Sequence, residues 1–371
     1  MRDFIPQIEP WIDESELEQL KRVVDSTFVT ENSLTKEFEQ MIKDLTGSKY
    51  AISMTNGTAA LYCCLKALDI GPGDEVIVPN ITFVATSNAV IMAGATPVFC
   101  EIAEDTFCID PGKIESCIND KTKAIMPVHL YGQSADMKEL CRIAEANNIK
   151  IIEDAAQGVG VLFEGKHTGT FGDLGILSFY GNKTITCGEG GVVLTDSKEL
   201  RDKCYRLKNH GRLAKGTFKH DHIGYNFSFT EMQAAIGISQ LNKLDRIIER
   251  KKQIYDLYLS RLKPLEGKFN KVFLDERTTP VWWFTSFLTE KKAELKSFLL
   301  ERGIQTRDFF YPLHLQPCYE HMNIIGDFSL SERIYNHGIS LPSSYNLTNE
   351  EQEYIIRSIF EFYGEEYDSF S

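Results

Sequence analysis

The chain has 371 residues, 43% of them hydrophobic, and a formal net charge of −13. That length allows roughly two domains with sizeable cores, and an acidic chain without a long Lys/Arg run argues against nucleic acid as a partner. The nine cysteines form no Cys-x-x-Cys pair or zinc-type cluster with histidine, no apolar signal core opens the chain, and no run reaches the roughly 18 apolar residues of a membrane span. A cytoplasmic protein with reduced thiols, no membrane partner and no metal is the expectation.

Residues 1–10, with Pro6 and Pro10, read as an extended arm. A helix is predicted over 13–26, with Leu17, Leu20, Val23 and Val24 on one face, and a second over 32–45, with Leu34, Phe38, Met41, Ile42 and Leu45 apolar. A short strand at 50–54 runs into Thr55-Asn56-Gly57-Thr58 and a helix starting Ala59-Ala60-Leu61. The first turn of such a helix offers unpaired N–H groups and the positive end of the dipole. Gly57 lets an anion approach and Thr58 adds a hydroxyl, so this turn suits a phosphate. It equally suits an ordinary N-cap, which needs the same residues.

Alternating units follow. Strands are predicted at 75–79, 97–100, 123–128 and 150–154, with helices at 85–93, 112–118 and 137–147. Repeated β-α-β with continuous apolar strands implies an α/β fold, a mainly parallel sheet covered by helices on both faces. Ligands of such sheets sit beyond the carboxyl ends of the strands. Asp154 ends one of these strands, and Phe83 follows the end of another at Pro79-Asn80.

Residues 176–180 read as a buried strand that breaks at Gly181-Asn182 and delivers Lys183 before the turn Gly188-Glu189-Gly190-Gly191 and a returning strand at 192–194. Burial disfavours the ammonium form, and a neutral amine attacks aldehydes, so Lys183 is a candidate Schiff-base lysine. The alternative is a hairpin whose lysine reaches solvent. A long helix is predicted over 231–262. Past it come a strand at 281–289, a helix at 290–302, a strand at 304–311 and a terminal helix at 349–363. These divide the chain into a large domain, 1–245, and a smaller α+β domain, 246–371. Arg307, Tyr311 and His314 could supply cation and hydrogen bonds to a diphosphate.

The stretches TNGTAAL, GDEVIVPNITFVAT, GATPVF, KAIMPVHLYGQ, IIEDAAQGVG, GDLGILSFYGNKTITCGEGG and GYNFSFTEMQAAIGISQL occur in that order. Together they resemble the DegT/DnrJ/EryC1/StrS nucleotide-sugar aminotransferases, fold-type I enzymes that use pyridoxal 5'-phosphate (PLP). The resemblance runs from about residue 10 to 365. It implies a seven-stranded-type sheet and a PLP-dependent transaminase, with pyridoxamine 5'-phosphate as the alternate cofactor form. Lys183 would hold the cofactor and shuttle the proton. Asp154 would keep the pyridine nitrogen protonated, Gln157 would bond the ring hydroxyl oxygen, and Phe83 would stack on the ring. Gly57, Thr58, the Ala59 N–H and Ser178 would hold the phosphate, joined by Asn226 from the partner of a homodimer.

Within the family, VHLYGQ, SFYGNKTIT and FFYPLH are most similar to members that aminate C4 of a GDP-linked 4-keto-6-deoxy sugar, with L-glutamate as donor. The chain departs from the pattern at three places. Asn226-Phe227-Ser228-Phe229 replaces a frequent Asn-Tyr-Arg-Met, Phe83 stands where relatives carry Tyr or Trp, and Thr27-Phe28-Val29-Thr30 replaces Trp-Ile-Ser-Ser. Three other functions stay open: amination of a dTDP- or UDP-linked 3- or 4-ketosugar, a pyridoxamine-dependent sugar dehydratase, and a regulatory protein without catalysis. The dehydratases replace the lysine with histidine, and a regulator is free to lose Lys183 or Asp154.

Overall fold

The computed structural model describes residues 2–212, 216 and 218–367. Helices α1 (Glu14–Ser26) and α2 (Ser33–Thr46) precede the sheet. Strands β1 (Tyr50–Met54), β2 (Glu75–Pro79), β3 (Thr96–Cys100), β4 (Thr122–Ile125) and β5 (Lys150–Asp154) alternate with α3 (Gly57–Ala67), α4 (Ala85–Met92), α5 (Pro111–Ile114) and α6 (Met137–Asn147). The short pair β6 (Leu162–Phe163) and β7 (Lys166–His167) comes next, then β8 (Leu174–Ser178) and β9 (Gly191–Thr195).

The seven-stranded sheet has the order β1-β9-β8-β5-β4-β2-β3. Only β9 runs against its neighbours; the other pairs in the sheet are parallel. The carboxyl ends of β1, β2, β5 and β8 therefore meet at one edge, and β9 begins there. Alternation along β8 sends Ile176 into one buried cluster, with Leu61, Ile152 and Val193, and Leu177 into another, with Phe38, Val192 and Ala234. Both faces are covered, which is why the strands read as unbroken apolar runs.

The same alternation splits two consecutive acids. Glu153 lies on the sheet face opposite Asp154 and accepts the N–H groups of Gly169 at 2.7 Å, Phe171 at 2.5 Å and Gly172 at 2.7 Å, with His129 Nε2 at 3.0 Å. It fastens the turn into β8. Asp154, one residue on, faces the ligand edge.

After α7 (Lys198–Lys208) the predicted 231–262 helix is two helices, α8 (Glu231–Asn242) and α9 (Leu244–Leu262). The break is at Lys243, whose backbone bonds Gln240 O at 3.1 Å and whose amine pairs with Glu16 at 2.7 Å. A buried lysine anchored to α1 fixes the kink where the apolar helix gives way to the amphipathic one. Glu231, at the start of α8, accepts the N–H groups of Asn32, Leu34 and Thr35, each at 2.8 Å, and so caps α2.

A second sheet comprises β10 (Asn270–Lys271), β12 (Thr285–Leu288), β13 (Arg307–Asp308) and β14 (Gly338–Leu341), in the order β10-β12-β14-β13. The pair β11 (Thr278–Thr279) and β6 joins β7 in a third. Helices α10 (Lys292–Glu301), α11 (Ser329–His337) and α12 (Asn349–Tyr363) complete the chain. Tyr258, Phe287, Leu299, Ile339 and Ile355 form the core around the second sheet. The N-terminal arm joins it, with Ile5 N–H on Gly303 O at 2.7 Å.

The predicted 281–289 strand survives only as β12. Val281–Phe284 is a loop because its backbone is used otherwise: Val281 N–H goes to Gly132 O at 3.2 Å and Trp283 N–H to Val281 O at 2.7 Å. Gly132 is required there. Its φ is +87°, and a Cβ would fall 1.9 Å from Val281 O. Among the described residues no helix is long and apolar enough to cross a membrane.

Candidate active site

At the edge where the strand ends meet lies a cavity of about 450 Å³. Its lining includes Gly57, Thr58, Phe83, Asp154, Gln157, Ser178, Lys183 and Arg307. Residues more than 100 positions apart in the chain thus converge, as the topology of such sheets requires.

Lys183 lies in the loop after β8, its N–H on Tyr180 O at 2.9 Å. It is partly open to the cavity, but burial dominates around its amine and pushes the pKa down to about 8, against an upward pull from Asp154. Arg307 pushes the same way as burial. The amine sits 4.3 Å from the centre of the Trp283 ring.

Asp154 is 4% exposed. One carboxylate oxygen accepts the Thr86 hydroxyl at 2.7 Å and the other the Ala156 N–H at 3.1 Å. Burial still raises its pKa, outweighing those bonds and the attraction of Lys183 and His129. A carboxylate in this state gains from a further cation in the cavity.

Gln157 is also buried. Its Oε1 accepts the Tyr131 N–H at 2.8 Å, which fixes the amide orientation and leaves the Nε2 donors free to bond a ligand. Gly57 opens α3 against Ser178: a Cβ would stand 3.2 Å from Ser178 Cβ and 3.3 Å from its hydroxyl. Asn56 caps α3 by accepting the Ala59 N–H at 2.8 Å. The Ala59 donor expected to face the phosphate is therefore engaged by Asn56, and the first-turn N–H groups of Gly57 and Thr58 lie ahead of the first intrahelical acceptor. Phe83 is 57% exposed although it lines the cavity, with its ring 6.1 Å from that of Phe310.

Four predicted residues lie outside this lining. Ala59 is buried in the first turn of α3. Asn226 is exposed, bridges to Asn209 and accepts the Ser228 N–H at 3.4 Å. Tyr311 packs edge-on against Tyr335 at 5.0 Å. His314 bonds Asn80, approaches Glu332 at 3.3 Å and stacks on Phe328 at 4.7 Å, on the border of a different surface depression. Sequence reasoning missed Thr86, Glu189, Trp283 and Phe310, all in the lining. Glu189 stood in the quoted Gly188–Gly191 turn, and Trp283 in an apolar run that reads as a strand.

The cavity's chemistry fits a phosphorylated pyridine aldehyde. An amine of lowered pKa can take the aldehyde, a buried carboxylate can meet a ring cation, and a helix N-terminus beside Ser178 has room for phosphate because residue 57 lacks a side chain. Fold and cavity together define a PLP-dependent transferase of the aminotransferase kind.

The chain belongs to the DegT/DnrJ/EryC1/StrS aminotransferase family, whose profile matches residues 10–360, and it is a PLP-dependent sugar aminotransferase. It is 40% identical over 366 residues to the GDP-perosamine synthase of Escherichia coli O157:H7, covering 98% of this chain and 99% of that protein. It is 38% identical over 367 residues to the GDP-perosamine synthase of Vibrio cholerae, covering 97% and 100%. The crystal structure of DesV from S. venezuelae superposes with a TM-score of 0.91 at 33% identity, covering 98% of this chain and 100% of that one.

Proposed function

We propose that this enzyme moves the amino group of L-glutamate to C4 of GDP-4-keto-6-deoxymannose, giving GDP-perosamine for surface polysaccharide such as O-antigen. The observation that carries the reading is the 40% identity to a GDP-perosamine synthase across nearly the whole of both chains. The cytoplasm, where nucleotide sugars are made, is the proposed location.

Bound PLP supplies an aldehyde that accepts the amino group and a ring that draws electrons from the adjacent carbon. The chain's own residues do the rest. Lys183 Nζ takes up and returns a proton, and an amine with a pKa of about 8 can do both near neutral pH. Asp154 keeps the ring nitrogen protonated, and the Thr86 hydroxyl holds that carboxylate in place. Gln157 Nε2 donates to the ring hydroxyl oxygen. Gly57, Thr58 and Ser178 receive the phosphate, with Ala59 closing the turn, and Phe83 covers one ring face. Arg307, the one arginine among the described lining residues, meets the diphosphate of the sugar nucleotide, its guanidinium resting 5.1 Å from the Phe284 ring centre. Tyr311 and His314, outside the cavity lining, serve the distal nucleotide.

The same reading makes the enzyme a homodimer in which Asn226 serves the partner's phosphate site. Phe218, Ile223 and Tyr225 stand exposed on the segment that carries Asn226, and Phe28 and Val29 are exposed in the loop after α1. Mixing inactive Lys183→Ala chains with inactive Asn226→Ala chains should restore part of the activity. It also divides the chain into a cofactor-binding unit, 1–245, and a smaller unit, 246–371, that adds Trp283, Arg307 and Phe310 to the cavity.

Mass spectrometry of reactions containing glutamate and one of several nucleotide ketosugars tests the substrate. Amination of the GDP-linked sugar at C4 is the expected result. Product from a dTDP- or UDP-linked ketosugar alone would move the assignment to that substrate. Loss of a hydroxyl without amination would mark a dehydratase.

A further inference from the structure

We propose that Trp283 is the positioning residue for the Lys183 amine: its ring is the surface on which the ammonium rests, and its indole N–H fixes the loop that presents the lysine. The ring centre is 4.3 Å from Lys183 Nζ. The indole Nε1 donates to the carbonyl of Asn182, the residue just before the lysine, at 2.6 Å. One side chain thus grips the lysine loop at two adjacent residues, from a segment 100 positions away.

Trp283 is itself held on three sides. It is 2% exposed, and its ring stacks on Phe284 at 3.8 Å. Its carbonyl accepts the Lys251 amine at 3.1 Å, and the same amine reaches Ser343 O at 3.0 Å. Lys251 is buried in α9, and burial alone drives its pKa down to about 7. Placing a lysine there costs stability, and what it secures is the backbone of Trp283. The carbonyl of Val281, two residues earlier, accepts the Trp283 N–H.

The consequence is chemical. The face of an indole attracts an ammonium and does nothing comparable for a neutral amine. Trp283 therefore raises the pKa of Lys183 against the burial that lowers it and gives the freed amine one resting place. Among the described residues, the other charged or titratable groups facing this lysine are Asp154 and Arg307, with Glu189 and Tyr180 in the cavity and Glu9, Lys251 and Tyr345 behind it.

The inference rests on Lys183 being the reactive lysine, but its test needs no cofactor. In protein stripped of PLP, the rate of acylation of Lys183 is followed against pH by peptide mass spectrometry. Trp283→Leu, which keeps the position apolar but has no ring, should lower the apparent pKa of Lys183 by up to about one pH unit. Trp283→Phe keeps a ring and should restore most of that shift while losing the bond to Asn182. Circular dichroism checks that both variants fold. An unchanged pKa in Trp283→Leu, or a rise from admitted water, would overturn the proposal. So would Phe behaving as Leu does. Failure of PLP to attach to Lys183 in the wild-type protein would instead refute the proposed function and leave this result standing.

Discussion

Replacing Lys183 by methionine should make the cofactor-free protein more stable, and only below a defined pH. The structure gives the magnitude. Burial takes the Lys183 pKa from its ordinary 10.5 to about 8, a difference worth ~3 kcal/mol against the folded state. Methionine removes that penalty and fills similar space. It also gives up the ring contact with Trp283, worth about 1–2 kcal/mol when desolvated. A net gain of about 1–2 kcal/mol remains. The sign follows from protonation. Below about pH 8 the lysine is charged in both folded and unfolded chains, so the penalty is full. As pH rises from about 8 to 10.5 the unfolded lysine still binds a proton that the folded one has lost, and the penalty fades. Thermal midpoints of stripped wild-type and Lys183→Met protein, measured from pH 6 to 10.5, should diverge at the acid end and converge at the alkaline end. A variant no more stable than wild type at pH 6, or one whose advantage is the same at pH 10.5, would refute the assignment of a strained buried amine at this position.

Asp154→Asn should keep the Thr86 contact but lose the charge, and turnover should fall by more than tenfold while some PLP still binds; near wild-type turnover would remove the aspartate from the chemistry. Arg307→Ala should raise the KM for the sugar nucleotide by about ten- to a hundredfold, the range for a lost charge-assisted contact of roughly 1.5–3 kcal/mol, and should spare the half-reaction with glutamate. Equal damage to both halves would place the arginine on the donor's carboxylate. Gly57→Val should weaken PLP binding, seen as a higher cofactor concentration for half-maximal absorbance, because its side chain would press on Ser178; unchanged affinity would move the phosphate elsewhere.

The parts of the cavity that were legible in the sequence are those encoded locally. A strand, a small-residue turn and a helix placed Gly57 and Thr58, and apolar runs ending at a carboxylate or breaking before a lysine placed Asp154 and Lys183. What was hidden depends on contacts between distant segments. Trp283 sits in an apolar stretch, Val281-Trp282-Trp283-Phe284, that any periodicity reads as a strand; it becomes a loop because Gly132 takes its backbone partner. Thr86 lies in the first turn of α4 with nothing local to mark it, and only folding brings its hydroxyl to Asp154. The stretch from Arg307 to His314 was read as one patch. After Pro312 a tight turn at Leu313–Leu315 buries Leu313, whose N–H bonds Asn80 O at 2.8 Å. That turn carries His314 to another face, so Arg307 alone of the three lines the cavity.

In the proposed mechanism everything turns on Lys183 as the residue that carries the cofactor. Borohydride reduction of the PLP-loaded protein, followed by proteolysis and mass spectrometry, tests it directly. A phosphopyridoxyl group is expected on the peptide containing Lys183. The same group on another lysine, or no labelled peptide from protein that holds PLP, would contradict it.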